Sequence, residues 1–281
     1  MKKNKLAMVS ACAALAVTAV AALNDSLTTR LYEVRSEKVR EPVRLVLLTD
    51  LHSCAYGAGQ RKLLDAVEAQ HPDLVLLGGD IVDDDPSLDE ENAWTVVRAL
   101  AERYPTFYVT GNHEFWGGRP EELKRRMEAY GATVLEGACE TVIFQGQPLG
   151  ICGVDDPAVG EESWEVQLDR AAAEADPDYF NILLTHRPER VDRYEGRGFD
   201  LVLAGHTHGG QWRIPGLLNG LLAPNQGFFP QYAGGRYQIG ESALIISRGL
   251  ARESTRIPRL FDPPEVVVVD VLPEGEGRPF F

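Results

Sequence analysis

His206 and His208 stand two residues apart in Leu201-Val202-Leu203-Ala204-Gly205-His206-Thr207-His208-Gly209-Gly210. The apolar run reads as a buried strand that the glycines end. Neutral imidazole is the commonest metal ligand, and in an extended backbone residues i and i+2 point to the same side, so the pair can face one pocket. The flanking glycines let the backbone approach a ligand with no Cβ in the way. By itself the stretch also suits two polar residues in a surface turn. The same design recurs upstream, however. Asp50 with His52, Asp80, Asn112 with His113, and His186 all follow apolar runs that end in Thr, Gly or Ala. Five of the six histidines lie in these loops, and His71, in Gln70-His71-Pro72-Asp73, reads as an ordinary turn residue.

The elements that must position these groups alternate. Strands are expected at residues 43–49, 74–77, 106–109, 179–184 and 201–204, and helices at 60–70, 89–103, 119–130 and 161–175, the first two with apolar residues on one face. Between residues 132 and 154 three short strands (132–135, 141–145 and 149–154) follow one another without helices. Strand-helix units interrupted by consecutive strands imply an α/β sandwich built on mixed sheets. In open α/β sheets ligands bind beyond the carboxyl ends of the strands, so five strand ends would deliver carboxylate, amide and imidazole groups to one edge.

The chain of 281 residues is long enough for a substantial core. A net charge of −14 is a poor match for a nucleic-acid backbone, so no nucleic-acid partner is expected. Residues 1–23 read as a leader: the basic head Met1-Lys2-Lys3-Asn4-Lys5 precedes an alanine-rich apolar stretch over 6–23, near the ~17-residue lower limit for a bilayer span. It suits a signal peptide, with Ala19-Val20-Ala21 as the small-x-small site, or an uncut membrane anchor. Either way the lysines stay on the cytoplasmic side, and the rest of the chain is anchored facing the extracytoplasmic side or exported. Residues 24–42 are expected as a tether and leading strand, 43–272 as the catalytic domain and 273–281 as a tail. Cys139 and Cys152 flank paired strands and could bridge in an oxidising compartment, but separate buried thiols are the expectation.

The order Asp50-x-His52, Gly79-Asp80, Gly111-Asn112-His113-Glu114, His186 and Gly205-His206-x-His208 resembles that of the calcineurin-like metallophosphoesterases, over nearly all of the chain after the leader. The ending, with Arg248-Gly249-Leu250 and Pro258-Arg259-Leu260-Phe261-Asp262-Pro263-Pro264-Glu265, is similar to the membrane-anchored or exported phosphodiesterases of the YkuE and YaeI type. Cys54, where a small residue is usual, and Ala251, where a glycine is expected, depart from that pattern. The resemblance implies an α/β/β/α sandwich of two mixed sheets. It implies two divalent cations, one held by Asp50, His52, Asp80 and His208, the other by Asp80, Asn112, His186 and His206. It further implies attack on phosphorus by a metal-bound hydroxide, with His113 protonating the leaving oxygen. The residue types agree: a carboxylate has two oxygens with which to bridge cations, and mixed imidazole and oxygen ligands suit manganese, zinc or iron better than calcium. A phosphodiesterase acting on a lipid-linked or envelope phosphoester, such as a UDP-diacylglucosamine-type compound, is the implied function. The alternative is a catalytically idle metal- or cell-envelope-binding module on the same scaffold.

Three further readings attach to the loops. Arg187 either contacts a phosphate oxygen or pairs with Glu189 or another acid, and Glu114 is expected to orient His113. Residues 214–222 with Phe228-Phe229 carry many large apolar groups among glycines and prolines. They either fill the local core or form an apolar wall beside the metals, where acyl chains or a membrane surface could rest.

Overall fold

The computed structural model describes residues 18–252 and 258–275. Fourteen strands are present among them: β1 (Thr28–Ser36), β2 (Val43–Leu48), β3 (Leu74–Gly78), β4 (Thr106–Val109), β5 (Thr133–Val134), β6 (Ala138–Phe144), β7 (Gln147–Gly153), β8 (Phe180–Leu184), β9 (Leu201–Ala204), β10 (Leu222–Ala223), β11 (Gly227–Phe228), β12 (Gly235–Ile239), β13 (Ser242–Ile246) and β14 (Glu265–Pro273). Helices are α1 (Arg61–Glu68), α2 (Glu91–Ala101), α3 (Asn112–Trp116), α4 (Pro120–Ala129), α5 (Glu161–Glu174) and α6 (Val191–Tyr194).

The first sheet has the order β1-β14-β2-β3-β4-β5 and the second β12-β13-β9-β8-β7-β6. Both are mixed: β2, β3, β4 and β5 run parallel, as do β7, β8, β9 and β13, while β14 is antiparallel to β2 and β6 to β7. Strands such as Leu74–Gly78 and Phe180–Leu184 are buried along their whole length, as continuous apolar runs covered on both faces should be. Leu45, Leu76, Val109, Ile182, Leu203 and Val269 fill the space between the sheets. Trp94, Val97, Leu63 and Met127 cover the outer face of the first sheet, and Trp164, Leu168 and Ala171 of α5 the outer face of the second. The fold is the expected α/β/β/α sandwich.

Several elements differ from expectation. β6 begins at Ala138, and its register sets Cys139 directly opposite Cys152 of β7. Paired cross-strand residues carry their side chains on the same face, and the two cysteines form a disulfide rather than the separate thiols expected, while Cys54 is buried outside that bridge and its sulfur accepts the Arg252 N–H. Asn112 and His113 begin a short helix, α3, where a loop is expected. The expected elements stop at residue 204, short of β12, β13 and β14. The leading strand of 24–42 is β1, which lies at the sheet edge against β14. Most of the expected leader, residues 1–17, lies outside the described residues; residues 18–22 are helical. Among the described residues no helix is long and apolar enough to cross a membrane.

Candidate metal centre

β2, β3 and β4 are neighbours in one sheet and β8 and β9 in the other, and the loops leaving their carboxyl ends meet at one edge of the sandwich. There the loop after β2 pairs with the loop after β3: Asp50 donates its N–H to Gly79, His52 to Asp80 and Ser53 to Ile81. His206 donates its N–H to both carboxylate oxygens of Asp50, at 3.0 and 3.1 Å. Backbones pack closely enough that a Cβ on Gly111 would lie 2.1 Å from Asp80 Oδ1, and one on Gly205 2.6 Å from Asp50 Oδ2. Only glycine fits at either position.

All seven residues expected as ligands, Asp50, His52, Asp80, Asn112, His186, His206 and His208, are buried at this edge. Five of them, Asp50, His52, Asp80, His206 and His208, have left-handed φ angles of 53°, 48°, 51°, 70° and 47°. Strain of that kind, about 1–3 kcal/mol per residue, gathers at functional sites. It also corrects the extended-backbone argument for His206 and His208. The two flank Thr207 at φ −83°, ψ −14° in a turn, and they enter different groups of side chains. Asp50, His52 and His208 make one group and Asp80, His186 and His206 another, each with ligand atoms within 4.8 Å of one another. Asp80 Oδ2 sits between them, 3.1 Å from His186 Nε2 and 3.6 Å from His52 Nε2.

The outer nitrogens of the rings are held by other groups. His52 Nδ1 lies 2.6 Å from Asp83 Oδ2, His186 Nδ1 2.8 Å from the Gly78 carbonyl and His206 Nε2 2.8 Å from Asn225 Oδ1. This is how metal-ligating imidazoles are oriented. Meanwhile His52 Nε2 and Asn112 Oδ1 are buried without a hydrogen-bond partner, and Asp80 Oδ2 has only imidazole nitrogens beside it. Buried polar atoms are rarely left so, and a divalent cation is the group this donor set fits. His208 Nδ1 is also buried without a partner, for which the structure offers no account.

Electrostatics point the same way. Burial, with the charges of His186 and Arg187 near one and of His52 and Arg259 near the other, holds His206 and His208 well below the ordinary imidazole value, in the neutral ligating form. Burial also opposes charge on His186, but Asp80 and Asp50 outweigh it and push the imidazole up to about 10. Asp80 is held well below its ordinary value despite burial, by His186, His52 and His113. Burial and the Asp80 charge raise Asp50. In this state protons on histidine offset the carboxylates, a place that cations would take.

His113, expected as the acid, is the second residue of α3 beside the cluster, with Nδ1 2.6 Å from Asp84 Oδ1 and Nε2 3.9 Å from Asp80 Oδ2. Its orienting carboxylate is thus Asp84, not Glu114. Glu114 instead accepts the N–H groups of Asp80, Ile81, Val82 and Gly111. Arg187 is buried and bidentate to Asp156, with a second contact to Asn225 Oδ1 at 2.6 Å and Glu189 only at 3.5 Å. Sequence reasoning missed Asp83, Asp84, Asp156 and Asn225. Asp156 carried the same signal as the ligands, a polar residue just past an apolar strand; Asp83 and Asp84 sit in an acidic run that reads as solvated.

The sequence model of calcineurin-like phosphoesterases matches residues 43–210. The metallophosphoesterase Cj0846 of Campylobacter jejuni is 31% identical over 89% of this chain and 66% of its own length. Protein YpbG of Bacillus subtilis is 30% identical over 94% of this chain and 96% of its own. Phosphodiesterase YaeI of Escherichia coli is 30% identical over 82% of this chain and 83% of its own. Among solved structures the phosphopantetheinyl hydrolase of Mycobacterium tuberculosis shares the fold, with a TM-score of 0.52 at 14% identity over 86% of this chain and 100% of that one. With the matched segment spanning the strand-end loops from Asp50 to His208, the chain belongs to the calcineurin-like phosphoesterase family, as a metal-dependent hydrolase of phosphoric esters.

Proposed function

We propose that the protein is a phosphodiesterase working with two divalent cations, of manganese, zinc or iron, on a lipid-linked or envelope phosphoester such as a UDP-diacylglucosamine-type compound. The observation that carries the two-cation reading is the pair of ligand groups with Asp80 Oδ2 between them, facing a ring nitrogen of each. Asp50, His52 and His208 would hold one cation, His186, His206 and Asn112 the other, and Asp80 both. Bound there, the cations would offset the phosphoryl charge and acidify water for in-line attack on phosphorus. His113, its ring held through Nδ1 by Asp84, would present Nε2 to the leaving oxygen and supply its proton. Arg187, committed to Asp156 and Asn225, would act by fixing His206 rather than by gripping phosphate.

The diester preference is supported by the likeness to YaeI, named a phosphodiesterase. The apolar leader and the exposed apolar segment after His208 favour a substrate at a membrane. An extracytoplasmic location fits the Cys139–Cys152 disulfide, since such bonds persist in oxidising compartments. The test is hydrolysis of bis-p-nitrophenyl phosphate by the full chain, with manganese, zinc or iron and then with excess chelator. Turnover that the chelator abolishes is expected. Its absence with all three metals would overturn the enzymatic reading in favour of a binding module.

A further inference from the structure

The segment after the paired histidines does not fill the core. Trp212, Ile214, Leu217, Leu222, Phe228 and Phe229 are exposed, Leu217 by 82% and the two phenylalanines by 71% and 69%. Leu222 and Phe228 are cross-strand partners in the β10–β11 hairpin, so they stand on one face of it, and Phe229 follows at its end. Soluble surfaces rarely carry so many large apolar groups in one short segment without a partner.

Two contacts place this face. At the inner side, Asn225 in the hairpin turn bonds His206 Nε2 and Arg187, so the hairpin borders the metal centre. At the outer side, Trp212 bridges to Leu260 and bonds the Pro258 carbonyl, and the next residue, Phe261, donates its N–H to Ala22. Ala22 lies at the end of the apolar stretch 6–23, and its neighbours Val20 and Leu23 are exposed too. The leader therefore joins the domain beside the apolar hairpin.

We propose that this face docks on a lipid bilayer, with the hairpin seated at the boundary between headgroups and acyl chains and the mouth of the metal centre held at the lipid surface. The inference rests on the reading that the leader attaches the chain to a membrane. A bilayer accepts protruding apolar groups without a matching shape, whereas a second copy of the chain would need complementary packing. The net charge of −14 opposes an anionic surface, so the attraction here is apolar and neutral lipid suffices.

The experiment uses full-length protein carrying Trp116→Phe, which leaves Trp212 as the exposed tryptophan beside the buried Trp94 and Trp164. It is mixed with phosphatidylcholine vesicles brominated at defined depths along the acyl chains. Sedimentation reports attachment and fluorescence reports insertion. Quenching is expected, strongest from bromines near the carbonyl end because interfacial groups sit about 5–10 Å into the boundary. It should vanish in the same protein with Trp212→Phe, and weaken with Phe228→Ser and Phe229→Ser, while all three still sediment through the leader. Protein that sediments with Trp212 unquenched overturns the docking proposal alone. Protein left in the supernatant overturns both this and the leader reading. Self-association that shields Trp212 without lipid makes the face a contact between copies and overturns it as well.

Discussion

His113 differs from the other site histidines in what surrounds it. Its ring is partly exposed at the mouth, leans on Trp116 with 4.9 Å between centroids, and is tied through Nδ1 to Asp84. Those contacts suit a proton donor, and kinetics can separate that role from phosphate positioning. His113→Ala should retain as much metal as the parent by elemental analysis and lose roughly 10²–10⁴ in rate on esters with poor leaving groups, a typical range for a lost general acid. On p-nitrophenyl esters, whose leaving group hardly needs a proton, the loss should be smaller. Equal losses on both would assign His113 to positioning. The clustering of the candidate ligands was legible in the sequence because each lies just past a buried strand, and strand ends on one edge need no long-range information to be grouped. Asp84 was not legible: its contact with His113 depends on how the chain turns after Asp80, and nothing in Asp83-Asp84-Asp85 distinguishes a ring-holding carboxylate from a solvated one.

Among the elements, α3 shows why a helix barely longer than one turn is stable at this position. Glu114, the third helical residue, reaches back to the N–H of Gly111, as acidic residues do at helix starts, and also collects three N–H groups from the Asp80 turn. One buried carboxylate thus fastens the loop after β4 to the loop after β3. Burial and the nearby Asp80 charge push its pKa up to about 7 even though four N–H groups favour the anion. Glu114→Ala would strand those donors away from water, and an unsatisfied buried group costs about 1–3 kcal/mol. Chemical denaturation should show a loss of roughly 2 kcal/mol or more, with weaker metal retention because Asp80 loses its brace. A variant as stable and as metal-rich as the parent would refute the bracing role. The pattern Gly111-Asn112-His113-Glu114 contains this device, but reading it requires knowing that a helix starts at Asn112, and five residues carry no periodicity from which to see one. The β6–β7 register was similarly hidden: it pairs Cys139 with Cys152 through a turn at Gln145-Gly146, whereas spacing alone left the cysteines apart.

At the scale of the whole molecule, the sandwich brings the candidate ligands from two sheets to one edge and leaves them buried, so the cluster's charge becomes a property of the fold. The alternation of strands and helices made the sandwich legible; which strand lies beside which did not follow from it, because β14 inserts between β1 and β2 from the far end of the chain. The consequence of assembling so many titratable groups is a dependence of stability on pH in protein stripped of cations. His186 is raised from the ordinary 6.5 to about 10, and His52 is raised as well, so the stability they contribute is fully present below pH 6.5 and is lost as pH rises, for His186 through about 10. His206 and His208 are lowered, so their contribution is present above pH 6.5 and is lost as pH falls and they are forced to charge. Glu114 and Asp50, both raised, oppose that acid-side dependence, so the net expectation for chelator-treated protein is a melting temperature that falls as pH rises above about 6.5. Cations that bind only the folded state should raise the whole curve. They should also flatten its alkaline limb, because a cation replaces the proton that His186 would otherwise lose. Differential scanning calorimetry with chelator and with manganese, across about pH 6 to 10, reads that alkaline limb. A melting temperature that climbs steadily from neutral to alkaline pH in chelator would mean that His186 is not protonated against Asp80 in the metal-free fold, and the electrostatic account of the cluster would have to be abandoned.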